Sequence, residues 1–158
     1  MALIRPPIRR QGLELVVVDS EPRFVALAGH HRLADRASVI FDELAQEPWI
    51  EIVESDPVWC DFWRVSDRRT AAPRFGARGR TLDDVLEAAR DGRAVGLVPA
   101  SIARSQNWPG LAFVEVTDIP ESEIAVAWRS ARQSPLVADF VGLAEELGDR
   151  RSALKTTA

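Results

Sequence analysis

Arg80–Ser101 reads RTLDDVLEAARDGRAVGLVPAS, and this stretch decides the fold class. Thr81 followed by Asp84 is a capping-box-like start. The hydroxyl accepts from a free N–H of the helix, and the carboxylate reaches back to the cap. The spacing predicts a helix from Leu82 to about Arg90, stopped by Gly92, a residue that enters left-handed backbone without steric cost. Ala94–Val98 (AVGLV) is then apolar without alternation up to Pro99, as in a strand buried on both faces. A capped helix, a glycine turn and a doubly buried strand make one arm of a βαβ unit.

The same logic extends outward. Trp49–Val53 (WIEIV) alternates like a strand, Glu54-Ser55-Asp56-Pro57 forms a capping loop, and a helix starts near Val58. That helix sets Trp59, Phe62 and Trp63 on one face at i, i+3, i+4. Phe75–Gly79 and Leu111–Val116 read as strands, and Ser101–Ser105 as a helical turn. Strands and helices alternate from about residue 38 to 117, which predicts a parallel α/β sheet. On the flanks, Ala2–Ile4 is stopped by Pro6-Pro7. Leu13–Asp19 and Arg23–Ala28 are strands with a tight connection at 20–22. Phe41–Ala45 is a short helix with early acids Asp42 and Glu43, ended by Pro48. Glu123–Trp128 is the closing strand. Pro135–Leu147 is the last helix, with Ser134 as N-cap and Gly148 as its stop. The expected organisation is a partial first lobe from 1–30 and 119–148, a second lobe over 31–118, and a flexible tail over 149–158.

Of the 158 residues, 46% are hydrophobic and 28% charged, the balance of a globular protein rather than a disordered chain. Twenty basic residues against 24 acids give a net charge of −4. That charge argues against nucleic-acid binding by this chain, since phosphate contacts need a basic face. The exception is the run Arg64–Arg80, where arginines 64, 68, 69, 74, 78 and 80 meet one acid, Asp67. A solvated loop and helix end is the expectation there, ahead of an anion or partner surface. Cys60 is the one cysteine, so neither an internal disulfide nor a cysteine-based zinc site is available, and a reducing, cytoplasmic setting follows. The N-terminus has no long apolar core of a signal peptide, and no apolar run approaches the ~18 residues of a membrane span.

Three stretches in register point to a family. Phe24-Val25-Ala26-Leu27 with His31 and Leu33-Ala34 is similar to a "VALPAxHPLA" segment. Arg80–Ser101 is similar to a helix, glycine turn and "GVxLVPAS" strand end, and Val126–Arg129 with Ser134-Pro135-Leu136 and Phe140 to a closing strand and terminal helix. Together they resemble the effector-binding domain of LysR-type transcriptional regulators. The resemblance implies a two-lobed α/β fold of the type 2 periplasmic-binding-protein kind, with a small-molecule effector in the cleft between lobes, no cofactor and self-association into oligomers. Ala28 and Arg32 stand where the family has prolines, which leaves the fold expectation intact. Ala2–Pro7 resembles a strand from the middle of the first lobe. The first lobe is therefore expected to be incomplete, and contact with DNA to run only through a missing N-terminal domain. The chain is then a fragment, a mis-called start or a truncated paralogue.

The candidate effector-binding residues are Arg5, Glu54, Ser55, Asp56, Trp59, Arg80, Thr81 and Pro99. A strand running into a loop and a helix start is where open α/β sheets bind ligands. Ser55 offers a hydroxyl and a backbone N–H, and Trp59 a stacking face; alternatively, 54–56 only cap the helix and Trp59 is core. Acidic Glu54 and Asp56 suit a cationic or hydroxylated effector better than an anion. Thr81 has its hydroxyl and nearby N–H groups, or is simply an N-cap. Pro99 rims the cleft, and Arg5 suits a carboxylate bidentately or is a surface arginine. The effector expected is a carboxylate or polar metabolite. His30-His31 point to opposite strand faces with no further ligand at metal spacing, and Cys60 reads as a buried inert thiol. There is no GxGxxG, P-loop or HExxH, so no enzyme is expected. The rival function is a truncated, non-sensing interaction protein that pairs with full-length regulators through an exposed sheet edge.

Overall fold

The computed structural model describes residues 1–105, 107–131 and 135–156. The chain divides into two compact units, Met1–Glu21 with Ser122–Ala158, and Pro22–Glu121.

The first unit has a three-stranded antiparallel sheet. β9 (Ser122–Arg129) lies in its centre, between β1 (Ala2–Ile4) and β2 (Leu13–Glu21). Its middle residues Ala125, Val126 and Ala127 are buried. The last helix, α4 (Pro135–Thr156), packs on β2 and β9. At Gly148 the approach is backbone to backbone, because a Cβ there would stand 1.8 Å from the Val18 carbonyl oxygen. Gly148 was expected to end this helix and instead sits inside it: it is required for close packing, not for a stop. Residues 149–156, expected as a tail, continue the helix. Ser134, its expected N-cap, lies outside the described residues.

In the second unit the elements are β3 (Arg23–Ala28), β4 (Ser38–Val39), a 3-10 turn at Phe41–Glu43, β5 (Trp49–Ile52), α1 (Pro57–Trp63), a 3-10 turn at Ser66–Arg68, β6 (Phe75–Gly79), α2 (Leu82–Arg90), β7 (Gly96–Pro99), α3 (Ala100–Ala103) and β8 (Leu111–Val116). Four strands form one sheet in the order β4-β8-β3-β7. The βαβ reading holds at β5-α1-β6, where the two strands pair in parallel. It holds too at β4 and β8, which pair in parallel, and the antiparallel member of the larger sheet comes from outside the stretch 38–117. β3 is antiparallel to both β7 and β8, so the sheet is mixed rather than parallel. Arg23–Ala28, read from the sequence with residues 1–30, is thus hydrogen-bonded into this unit's sheet.

β3 shows why the sheet is covered on both faces. Val25 and Leu27 face one core cluster with Phe41, Trp49, Trp63 and Leu97, while Ala26 faces a second with Ile50, Leu86 and Ala89. That is the two-residue alternation of a strand applied to a two-sided core. β5 joins the edge at β7 through the Val95–Trp49 bridge, with Ile50 N–H donating to the Val95 carbonyl at 3.0 Å. The carboxyl ends of β5, β6 and β7 consequently point the same way.

Candidate functional site

β5 and β6 end side by side, with Ile52 opposite Gly79 and Val53 N–H donating to the Gly79 carbonyl at 2.9 Å. Each strand then turns into a helix. These two exits bring Glu54, Ser55, Asp56, Arg80 and Thr81 together.

On the first exit, Glu54 has φ 59°, a left-handed conformation rarely adopted by a residue with a Cβ. That turn swings its carboxylate toward β6, where it pairs with the Arg80 guanidinium. Both side chains are about two-thirds exposed, 65% and 64%, so the pair itself adds at most ~1 kcal/mol. Ser55 is exposed beside it. Asp56 caps α1, its Oδ1 accepting from Val58 N–H at 2.8 Å, with Pro57 as the first helical residue. Trp59 is half-buried, 5.6 Å from the Trp63 ring, and packs against the core. Behind it is an apolar cavity of about 40 Å³ lined by Ile52, Trp59, Cys60, Trp63 and Val85 among others, too small for an aromatic ring.

The second exit is a complete capping box. Asp84 N–H donates to Thr81 Oγ1 at 3.2 Å, and Asp84 Oδ2 accepts from Arg80 N–H at 2.7 Å and Thr81 N–H at 2.9 Å. Those backbone donors, Arg80 first, hold the Asp84 carboxyl below the usual carboxylate range. Gly79 makes room, since a Cβ there would stand 2.4 Å from Asp84 Cβ. The expectation that free N–H groups surround Thr81 is corrected in part: the chain's own carboxylate occupies those of Arg80 and Thr81, but not those of Leu82 and Asp83 at the start of α2. What remains available at the mouth includes the Ser55 hydroxyl, the Thr81 hydroxyl proton, the Arg80 guanidinium, the exposed edge of Trp59 and the Leu82 and Asp83 N–H groups at the start of α2.

The other two candidates are placed differently. Pro99 is buried at the end of β7 and precedes α3 as its cap residue, so its ring presents no rim. Arg5 belongs to the first unit, where it pairs with Glu21 and donates from Nη1 to Ser122 Oγ at 3.1 Å. Both partners are buried, so Arg5 is a structural clamp on that sheet rather than an ordinary surface arginine.

One residue that the sequence reading passed over is Arg23, 1% exposed. Its Nε donates to the Pro120 carbonyl at 2.7 Å and its Nη1 to the Phe62 carbonyl at 2.9 Å, with the guanidinium 4.0 Å from the Phe62 ring centre. Burial, partly countered by Asp67, lowers its pKa to about 10. It fixes the end of α1 whose start carries the Asp56 cap. The signal was present: an arginine opening the apolar run RFVALA. The histidines make no metal site: His31 Nδ1 accepts from Leu33 N–H at 3.2 Å, and among the described residues no cluster of metal-ligating side chains occurs. Cys60 is buried, its thiol directed at the Ile52 carbonyl at 3.6 Å. No described helix is long and apolar enough to cross a membrane.

This is the α/β fold of type 2 periplasmic-binding proteins as it occurs in effector-binding domains. The structure is similar to the BenM effector binding domain with its effector benzoate, at TM-score 0.74 and 18% identity over 95% of this chain and 69% of that one. It is also similar to full-length CbnR complexed with its target DNA, at TM-score 0.74 and 20% identity over 92% of this chain and 52% of that one. Among curated proteins, the HTH-type transcriptional regulator AlsR of Bacillus subtilis (strain 168) is 21% identical over 144 residues, 89% of this chain and 47% of its own length. Residues 1–148 match the model of the LysR substrate binding domain, and the chain belongs to that family. It spans about half the length of that curated relative.

Proposed function

We propose that the chain works as the effector-sensing part of a LysR-type regulator, acting without catalysis in the cytoplasm and as an oligomer. Its DNA contacts would be made by a domain outside this chain. The effector is a small polar metabolite held where β5 and β6 end, by the Ser55 and Thr81 hydroxyls, the Arg80 guanidinium and the Trp59 edge. The observation that carries this reading is the pair of adjacent strand exits, which converge two hydroxyls and one guanidinium on a single mouth. A carboxylate is met at Arg80, where it must exchange with Glu54, and at the helix-start N–H groups that the Asp56 and Asp84 caps leave unfilled. Hydroxyl groups of the effector need no such exchange.

The test is thermal shift of the purified chain against a panel of hydroxylated and carboxylated metabolites. A ligand present at 100 times its Kd adds about 2.7 kcal/mol, hence roughly 5–10 °C in a chain of this size. Ser55→Ala and Arg80→Gln should each remove most of that shift without lowering the ligand-free Tm. Silence across a broad panel, or a shift indifferent to both substitutions, refutes the reading.

A second reading rests on a different observation. In the first unit, Leu3, Phe140, Leu143 and Leu147 line an apolar groove of about 330 Å³, and Leu143 is 56% exposed. A protein that only pairs with full-length regulators would use such a surface. It predicts a heteromeric complex on native purification and no ligand response.

A further inference from the structure

A second concave surface lies where β5 and β6 begin rather than where they end. This groove has a volume of about 480 Å³ and is lined mainly by Asp42, Gln46, Arg68, Arg69, Thr70 and Arg74. Three guanidinium groups there face one carboxylate, in a chain whose net charge is −4. We propose that the groove is a binding site for a small multivalent oxyanion, a phosphate-bearing or dicarboxylate molecule, separate from the effector mouth.

Arg69 carries the argument. Its guanidinium lies over Trp49 at 4.4 Å and over Phe41 at 5.0 Å from the ring centres. Nε donates to the Arg64 carbonyl at 2.8 Å and Nη1 to the Ala45 carbonyl at 3.2 Å. Nη2 is buried and has no hydrogen-bond partner among the described residues. A cation partly withdrawn from water is stabilised by a counter-charge nearby. No carboxylate forms an ion pair with Arg69 among the described residues, and the neighbouring charge that acts on it is the positive one of Arg64. Both burial and that neighbour disfavour its charged form.

The other groups fit an anion of more than one charge. Arg74 is exposed, and its side chain makes no ion pair among the described residues. Arg68 Nη1 is held by Asp118, through the carbonyl and through Oδ2, each at 2.6 Å, so it contributes mainly field. Thr70 adds an exposed hydroxyl on the segment joining Arg69 to Arg74. Asp42 is the single opposing charge on the lining. An oxyanion in the groove is thus met by the exposed Arg74 fork, the geometry that suits phosphate and carboxylate alike, with Arg69 and Arg68 adding positive field.

The test is an NMR titration of the 15N-labelled chain with inorganic phosphate and, separately, with succinate, at ionic strength held constant with NaCl. Saturable shifts are expected for residues 68–74 and for the side-chain Nε–H of Arg69. A lower Kd for phosphate assigns a phosphoryl ligand, and a lower Kd for succinate a dicarboxylate. Arg69 is packed on two rings and its substitution endangers folding, so the exposed pair is varied. Arg74→Gln should raise the Kd about fivefold and Asp42→Asn lower it about as much, with Tm unchanged. Shifts reproduced by NaCl alone overturn the proposal, as does an unchanged Kd in Arg74→Gln. Shifts confined to Ser55, Arg80 and Thr81 would place the anion at the effector mouth, overturning this site while leaving the effector reading intact.

Discussion

Replacing Asp84 by Ala separates the two jobs that its carboxylate combines. In the folded chain Oδ2 accepts from the N–H groups of Arg80 and Thr81, at 2.7 and 2.9 Å. Loss of that acceptor removes half of a capping box, but the released donors lie at an exposed helix start and turn to water. A cap lost under those conditions lowers Tm by about 2–4 °C in a chain of this size. The same change frees two backbone donors beside Arg80, and a hydrogen bond to a charged acceptor carries more than a neutral one. Affinity for a monocarboxylate probe such as benzoate should therefore rise about tenfold as stability falls. The acid side gives an independent check. The folded-state pKa of Asp84 is lowered, so its stabilisation is present above the ordinary carboxylate pKa of about 3.9 and is lost as pH falls through the folded value. The Tm gap between wild type and Asp84→Ala should close below about pH 4. Scanning fluorimetry across pH and calorimetric titration with benzoate measure both effects. Unchanged or weakened benzoate binding in Asp84→Ala, with Tm lowered as expected, would refute the claim that this carboxylate closes the Arg80 and Thr81 N–H groups to anions.

Three other outcomes follow from the same geometry. Arg23→Met strips two charge-assisted hydrogen bonds; the exposed Pro120 carbonyl regains water and the Phe62 carbonyl does not, so the loss is about 2–4 kcal/mol by urea denaturation. Hydrogen exchange in that variant should quicken across α1 more than across α2, because only α1 is held by the guanidinium. Gly148→Ala drives a Cβ to within 1.8 Å of the Val18 carbonyl, and should expose β2 to limited proteolysis while leaving the second unit's amides unchanged by NMR. Glu54→Gly relieves the left-handed backbone at φ 59° and gives up an exposed ion pair, two effects of about 1 kcal/mol or less that oppose each other. Its Tm should stay within a few degrees of wild type while carboxylate binding at the unpaired Arg80 strengthens; a weaker carboxylate affinity would show that Glu54 itself holds the ligand.

Local rules made the capped elements legible and left the sheet order hidden. Thr81, Asp84 and Gly92 act within a few residues of themselves, which is why α2 runs from Leu82 to Arg90 as its sequence implies. β3 matches its predicted bounds as well, yet its partners are β7 and β8, far along the chain. Nothing in RFVALA names a partner that distant, so β3 was expected with residues 1–30 and instead makes the larger sheet mixed. Gly148 fails for the complementary reason. A glycine in a helix reads as a stop when only its backbone freedom is considered, and as a packing surface once the Val18 carbonyl is known to press on it.

The proposed effector mouth shows the same limit in chemical form. Ser55, Arg80 and Thr81 could be assigned to one place because strand exits in an α/β sheet converge whatever the side chains are. Whether a helix start is open to an anion depends on which acceptor reaches it first, and that is a competition between groups a few ångströms apart. Asp84 was visible in the sequence as a cap. Its second consequence, that the Arg80 and Thr81 N–H groups are closed to an incoming carboxylate, appears only when both are seen already taken. On the proposed reading, selectivity at this mouth depends on Glu54 and Asp84, which hold the Arg80 guanidinium and two backbone donors beforehand, as well as on the groups that face the ligand.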